Sequence, residues 1–137
     1  MAEVSFITNP QKEDIIMENE KSIALHFPKA VKAGHFIVAC KSQVRFIEDI
    51  PPDEMVAVSM MLQEVCKRVG KILNCERFYI ASVGDFDHHF HFHAIPKFQD
   101  EPNMGKFIFS NEGWVGLIDT SNIDETKKLI NLKFDDK

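Results

Sequence analysis

A chain of 137 residues has room for one domain. Its composition, 45% hydrophobic and 27% charged with six Gly and six Pro, excludes a disordered polypeptide, a collagen-like repeat and a disulfide miniprotein. Sixteen basic residues against twenty-one acidic ones leave a formal charge of -5, so a general affinity for a nucleic-acid polymer lacks its electrostatic footprint.

In chain order, the short apolar runs Asp14–Met17 and Ser22–His26 flank the polar turn Glu18-Asn19-Glu20-Lys21 and predict a β-hairpin. Lys29–Gly34 reads as a loop, and His35–Cys40 as a central strand. A long helix is predicted from Pro51 to Leu73. Prolines suit its first positions, Asp53 and Glu54 complement its positive end, and Met55, Val58, Leu62, Val65, Val69 and Ile72 form one apolar stripe. Arg77–Val83 and His89–Ile95 are two further β-like runs, the second closed by Pro96; Lys106–Phe109 is a candidate strand. Thr120 or Ser121 is a candidate cap for a final helix through Ile130. Strands and helices segregate along the chain. That pattern predicts one α+β domain over 1–137: a mainly antiparallel sheet with one long covering helix and a short C-terminal helix.

Cys40, Cys66 and Cys75 are an odd number without CxxC spacing, which fits buried apolar residues in a reducing compartment better than a disulfide framework or a Cys-based zinc site. The start, MAEVSF, has no basic region followed by an apolar core, and no run reaches the ~18 apolar residues of a spanning helix. The expectation is a cytoplasmic protein with no membrane partner.

Four of the six histidines fall in His88-His89-Phe90-His91-Phe92-His93. Alternate residues of a strand share a face, so His89, His91 and His93 point one way while Phe90, Phe92 and Ala94 point into the core; His88 belongs to the preceding turn. A lone histidine in a strand is usually a packed or solvated side chain. Three in a row on one face gain no stability that Thr or Val would not supply better, because imidazoles need partners and repel when protonated. Zinc is one use for them, but His89 and His93 lie ~13 Å apart along an extended backbone, too far for all three to converge on one ion. Two of them with His35 remain an alternative ligand set. Nucleophilic chemistry fits better: the central imidazole attacks an electrophile through one nitrogen while an acceptor orients the other. Its neighbours donate to an oxyanion or a leaving group. Phosphorus suits such a row, and the chain has no Walker-type loop, GxSxG or GxGxxG.

His89-Phe90-His91-Phe92-His93-Ala94-Ile95, with Pro96 behind it, resembles the signature of the histidine-triad (HIT) family, His-x-His-x-His followed by two apolar residues. Ala33-Gly34-His35-Phe36-Ile37-Val38 resembles the family's Gly-His strand, and Arg45–Glu54 the loop entering its long helix. The likeness covers about residues 14–98 and leaves 99–137 as a C-terminal extension.

The resemblance implies an α+β fold, a homodimer, and hydrolysis or transfer at the α-phosphate of a nucleotide, with no cofactor and no resident metal. It makes His91 the nucleophile, has His89 and His93 orient it and bind phosphate oxygen, and places His35 beside them. A histidine at 93, where the uridylyltransferase branch has glutamine, favours a hydrolase of phosphoramidates, dinucleoside polyphosphates or related compounds. The chain departs from the family where an Asp or Asn commonly holds the ribose, eight positions before His35; Phe27 stands there, with His26 adjacent. The segment Ser82–His88 is also short, and Ser82 is the candidate phosphate contact. These departures sustain an alternative, a nucleotide-binding adaptor with little turnover.

Overall fold

The computed structural model describes residues 5–84, 87–103, 105 and 118–134. Among these residues five strands form one antiparallel sheet: β1 (Ile15–Glu18), β2 (Ser22–His26), β3 (Phe36–Cys40), β4 (Arg77–Ala81) and β5 (His91–Lys97), in the order β1-β2-β3-β5-β4. Among the described residues two helices, α1 (Pro52–Leu73) and α2 (Ile123–Phe134), join the sheet in an α+β architecture. The sequence-predicted strand Lys106–Phe109 lies outside the described residues.

The sheet has two apolar faces with different partners. Ala24, Phe36, Val38, Cys40 and Ala94 face α1 and pack with Val58, Met61, Val65 and Val69, one stripe at three- and four-residue spacing; Phe90 and Phe92 join them at the edge of this core. Ile130 and Phe134 of α2 extend the same cluster. Ile23, Leu25, Ile37 and Ala39 line the opposite face, where Ile7 from the N-terminal segment covers them. Among the described residues no helix is long and apolar enough to cross a membrane.

Element boundaries differ from the sequence reading where side chains compete for backbone groups. Asp14 is not in β1 but buried in a preceding 3-10 turn, where its carboxylate pairs with Lys127 of α2. β5 starts at His91, not His89, because the Asp87 carboxylate takes the His89 N–H (3.0 Å) and Val44 C=O takes that of Phe90 (2.8 Å). Pro96 sits inside β5 instead of closing it. β3 pairs with β5 only from Phe36↔Ala94 to Ala39↔His91, so Pro96 has a ladder on one side alone and its missing N–H costs nothing there. Neither Thr120 nor Ser121 starts α2. Asp119 accepts from the Ser121 amide and hydroxyl, and the helix begins at Ile123.

Candidate active site

The register of the sheet assembles the histidines. Ile37 pairs with His93 and Ala39 with His91, so both rings rise from the face away from α1. His35, just before β3, has the parity of Ile37 and joins them. It is fully buried. The loop between β2 and β3 closes on itself through Phe27 N–H to His35 C=O at 2.8 Å and His35 N–H to Lys32 C=O at 3.1 Å. Gly34 turns that loop with φ +92°, in the left-handed region open to glycine.

Donor logic orders the rings into a chain. Val31 N–H donates to His35 Nδ1 at 3.1 Å, which leaves the proton of His35 on Nε2, and that N–H donates to His93 Nδ1 at 2.9 Å. His93 then carries its proton on Nε2 and donates to His91 Nε2 at 3.1 Å. His91 holds its own proton on Nδ1 and donates it to His89 C=O at 2.7 Å. One backbone amide thus sets every tautomer in neutral rings, and the acceptor at the end of the chain is the Nε2 lone pair of His91.

The rings are neutral near pH 7 for a physical reason. Burial depresses His91, partly offset by the hydrogen bond to His89 C=O and the Asp87 charge. Burial, and then the neighbouring His91, push His93 down to about 4. Burial, followed by repulsion from His93, His26 and His91, puts His35 well below the usual imidazole range. Among the described residues no group of three or more His, Cys, Asp or Glu is arranged to hold a metal ion. The three cysteines are free, and burial raises their thiols, Cys66 to about 11, so none is a ready nucleophile.

The remaining sequence candidates take other places. His89 is buried; its Nε2–H donates to Cys40 C=O at 2.7 Å, so it supplies the chain of rings with its carbonyl. Ser82 is exposed and its hydroxyl donates to His91 C=O at 2.8 Å, which steadies the His91 backbone. His26 points to the opposite face of the sheet. Its Nδ1–H donates to Phe27 C=O (3.2 Å) and its Nε2 accepts Gly34 N–H (3.0 Å), so it shapes the loop that presents His35. Phe27 lies against His35 and His93, with ring centroids 4.8 and 4.9 Å apart.

Phe6 is the residue that sequence reading missed. Its ring lies 6.0 Å from His91 and 5.3 Å from Phe27, while Ser5 Oγ–H donates to Asp87 at 2.7 Å and Ile7 is buried next door. Apolar residues in an otherwise patternless N-terminal stretch carry no signal of where they will pack.

The model of the HIT domain matches residues 8–100, more than half of the chain. The protein belongs to the HIT domain family. Solved structures agree with that fold. A ZN-bound histidine triad family protein from Mycobacterium smegmatis is 17% identical, with a TM-score of 0.71 over 94% of this chain and 88% of its own. A Hit-like protein involved in cell-cycle regulation from Bartonella henselae is 20% identical, with a TM-score of 0.67 over 93% of this chain and 90% of its own. The diadenosine triphosphate hydrolase of Plasmodium falciparum is 18% identical, with a TM-score of 0.66 over 89% of this chain and 74% of its own. No curated protein matches the chain. The HIT domain here places its histidine motif at the start of β5, on the sheet face that α1 leaves open. Membership supports nucleotide hydrolysis or binding in general.

Proposed function

We propose that this HIT protein hydrolyses nucleoside phosphates at the α-phosphorus through a nucleotidyl-histidine on His91. The observation that carries this reading is the directed order of the rings, which leaves His91 neutral, with Nδ1–H fixed on a carbonyl and Nε2 as the lone pair. In the first step the bond from His91 Nε2 to phosphorus forms as the bond to the leaving atom breaks. His93 Nε2–H, released from His91, donates its hydrogen bond to the departing atom or a nonbridging oxygen. In the second step water attacks the same phosphorus and His91 leaves as the neutral ring. A departing amine takes the His93 Nε2 proton as its bond to phosphorus breaks, and the water of the second step returns one hydrogen to His93 and leaves the other on the phosphate. Phosphoramidates, dinucleoside polyphosphates and related compounds all fit this scheme.

The test is intact-protein mass spectrometry after brief exposure to adenosine 5′-phosphoramidate. A nucleotidyl adduct on His91 is expected, and His91→Asn should lose it with a fall in kcat of about 10³-fold or more. Turnover that survives His91→Asn overturns the mechanism. A second reading, a nucleotide-binding protein with little turnover, draws on Phe6 and Phe27, whose rings cover His91 and His93. Calorimetric binding of adenosine monophosphate with no hydrolysis across a broad substrate panel would favour it.

We further propose a homodimer. The outer strand β4 keeps one edge unpaired among the described residues and exposes Ile80, with Val83 exposed just beyond it. Sedimentation velocity at micromolar concentration should show about twice the 15.7 kDa of one chain; a single 15.7 kDa species contradicts it.

A further inference from the structure

The N-terminal segment crosses the face of the sheet that carries the rings. Ile7 packs on Ile23, Leu25, Ile37 and Ala39, on the side of β2 and β3 away from α1, and is only 4% exposed. One residue earlier, the Phe6 ring meets His91 edge-on at 6.0 Å and Phe27 at 5.3 Å. One residue earlier again, Ser5 Oγ–H donates to the Asp87 carboxylate at 2.7 Å, in the approach to β5. Ser5 to Ile7 therefore runs from β2 and β3 to the start of β5, with Phe6 against the ring whose Nε2 is the acceptor at the end of the chain. His91 is only 3% exposed, too little for a tetrahedral phosphorus to reach it.

The same segment is weakly seated. Its backbone closes on itself, with Asn9 N–H donating to Ser5 C=O and Ile7 N–H to Ser5 Oγ, both at 3.1 Å. Among the described residues no backbone hydrogen bond joins 5–9 to the sheet. A cavity of about 250 Å³, lined by Ile7, Thr8 and Pro10 of the segment and by Ile23 and Cys40 of the sheet, leaves its seat only partly filled. A segment with few apolar contacts and no ladder opens at little cost while the rest of the fold stays closed.

We propose that residues 5–10 form an autoinhibitory strap. Closed, it shields His91; lifted, with the Ser5–Asp87 bond broken and Phe6 withdrawn, it admits the electrophile. The shielding stands by itself, whereas its effect on turnover rests on the reading of His91 as the nucleophile. Substrate binds only the lifted fraction, so its apparent affinity is reduced by that fraction. Loosening the strap lowers KM and leaves kcat nearly unchanged, the opposite of losing a substrate contact.

The test uses the full chain at pH 7 and diethyl pyrocarbonate, which acylates the lone pair of a neutral imidazole, with tandem mass spectrometry to read each histidine separately. In the parent protein exposed His88 should react fast and His91 slowly. Ser5→Ala removes the latch and Phe6→Ala the cover. Each should speed acylation of His91 by about fivefold or more, while His35, fully buried in the loop between β2 and β3, stays slow. With adenosine 5′-phosphoramidate as substrate, both variants should lower KM by a similar factor. An unchanged His91 rate overturns the proposal. Equal gains at His91 and His35 also overturn it, because the segment would then support the whole fold and shield nothing in particular. A KM that rises while His91 becomes more reactive overturns it too, by making Phe6 part of the substrate's seat. Faster acylation of His91 with no turnover in any form would sink the hydrolase reading and leave the shield standing, whereas turnover with acylation rates unmoved does the reverse.

Discussion

His93 is the ring on which the chain of imidazoles turns, because it accepts from His35 and donates to His91 through opposite nitrogens. His93→Ala removes both bonds at once and exchanges a buried ring for a void. It should lower kcat by about 10²- to 10³-fold, since the proposed reaction depends on the donor it loses. KM should move much less, as measured by steady-state kinetics on a phosphoramidate. A loss of stability of about 2 kcal/mol or more in urea should accompany it, from the cavity and the lost hydrogen bond between His35 and His93. A kcat unchanged within twofold would show that His91 needs no donor from His93.

At the scale of elements, the loop between β2 and β3 decides where His35 sits. A side chain on Gly34 would bring its Cβ to 2.5 Å from Leu73 Cδ1 and 3.2 Å from Pro96 Cγ, on a backbone with φ +92°. Gly34→Ala should therefore cost about 2–3 kcal/mol, read from the urea midpoint, and weaken activity beyond that because His35 moves with the loop; a variant as stable as the parent would refute this account of the turn. Most of the scaffold was legible beforehand. The α1 stripe at Val58, Val65 and Val69, the hairpin of β1 and β2, and the alternation of His91 and His93 with Phe92 are periodic signals, and periodicity survives folding. The start of β5 was not legible, because the carboxylate of Asp87 and the carbonyl of Val44 draw the amides of His89 and Phe90 away from the ladder, and no local pattern announces a competitor from another loop. The tautomers were hidden for the same reason: the amide of Val31 sets them from outside the motif.

For the whole molecule, burying neutral histidines ties folding to pH. His93 titrates at about 4 in the folded state against 6.5 in a free chain, so the unfolded chain binds the proton first. Stability is then at its full value above about pH 6.5, falls as pH drops through the window from 6.5 to about 4, and levels off below it. That window corresponds to on the order of 3 kcal/mol for this ring, and His35, His91 and His26, all depressed chiefly by burial, add in the same direction. Urea midpoints between pH 4 and 8 should trace this slope, steepest below pH 6, and a flat profile would contradict neutral burial. The segment that begins at Ser5 bears on how such measurements are made. Phe6 rests on His91 and Ser5 on Asp87, so a purification handle fused ahead of them hangs a few residues from the nitrogen proposed to attack. Binding and rate constants from amino-terminally tagged material would then describe the tag as much as the protein, and a cleavable handle is the safer choice.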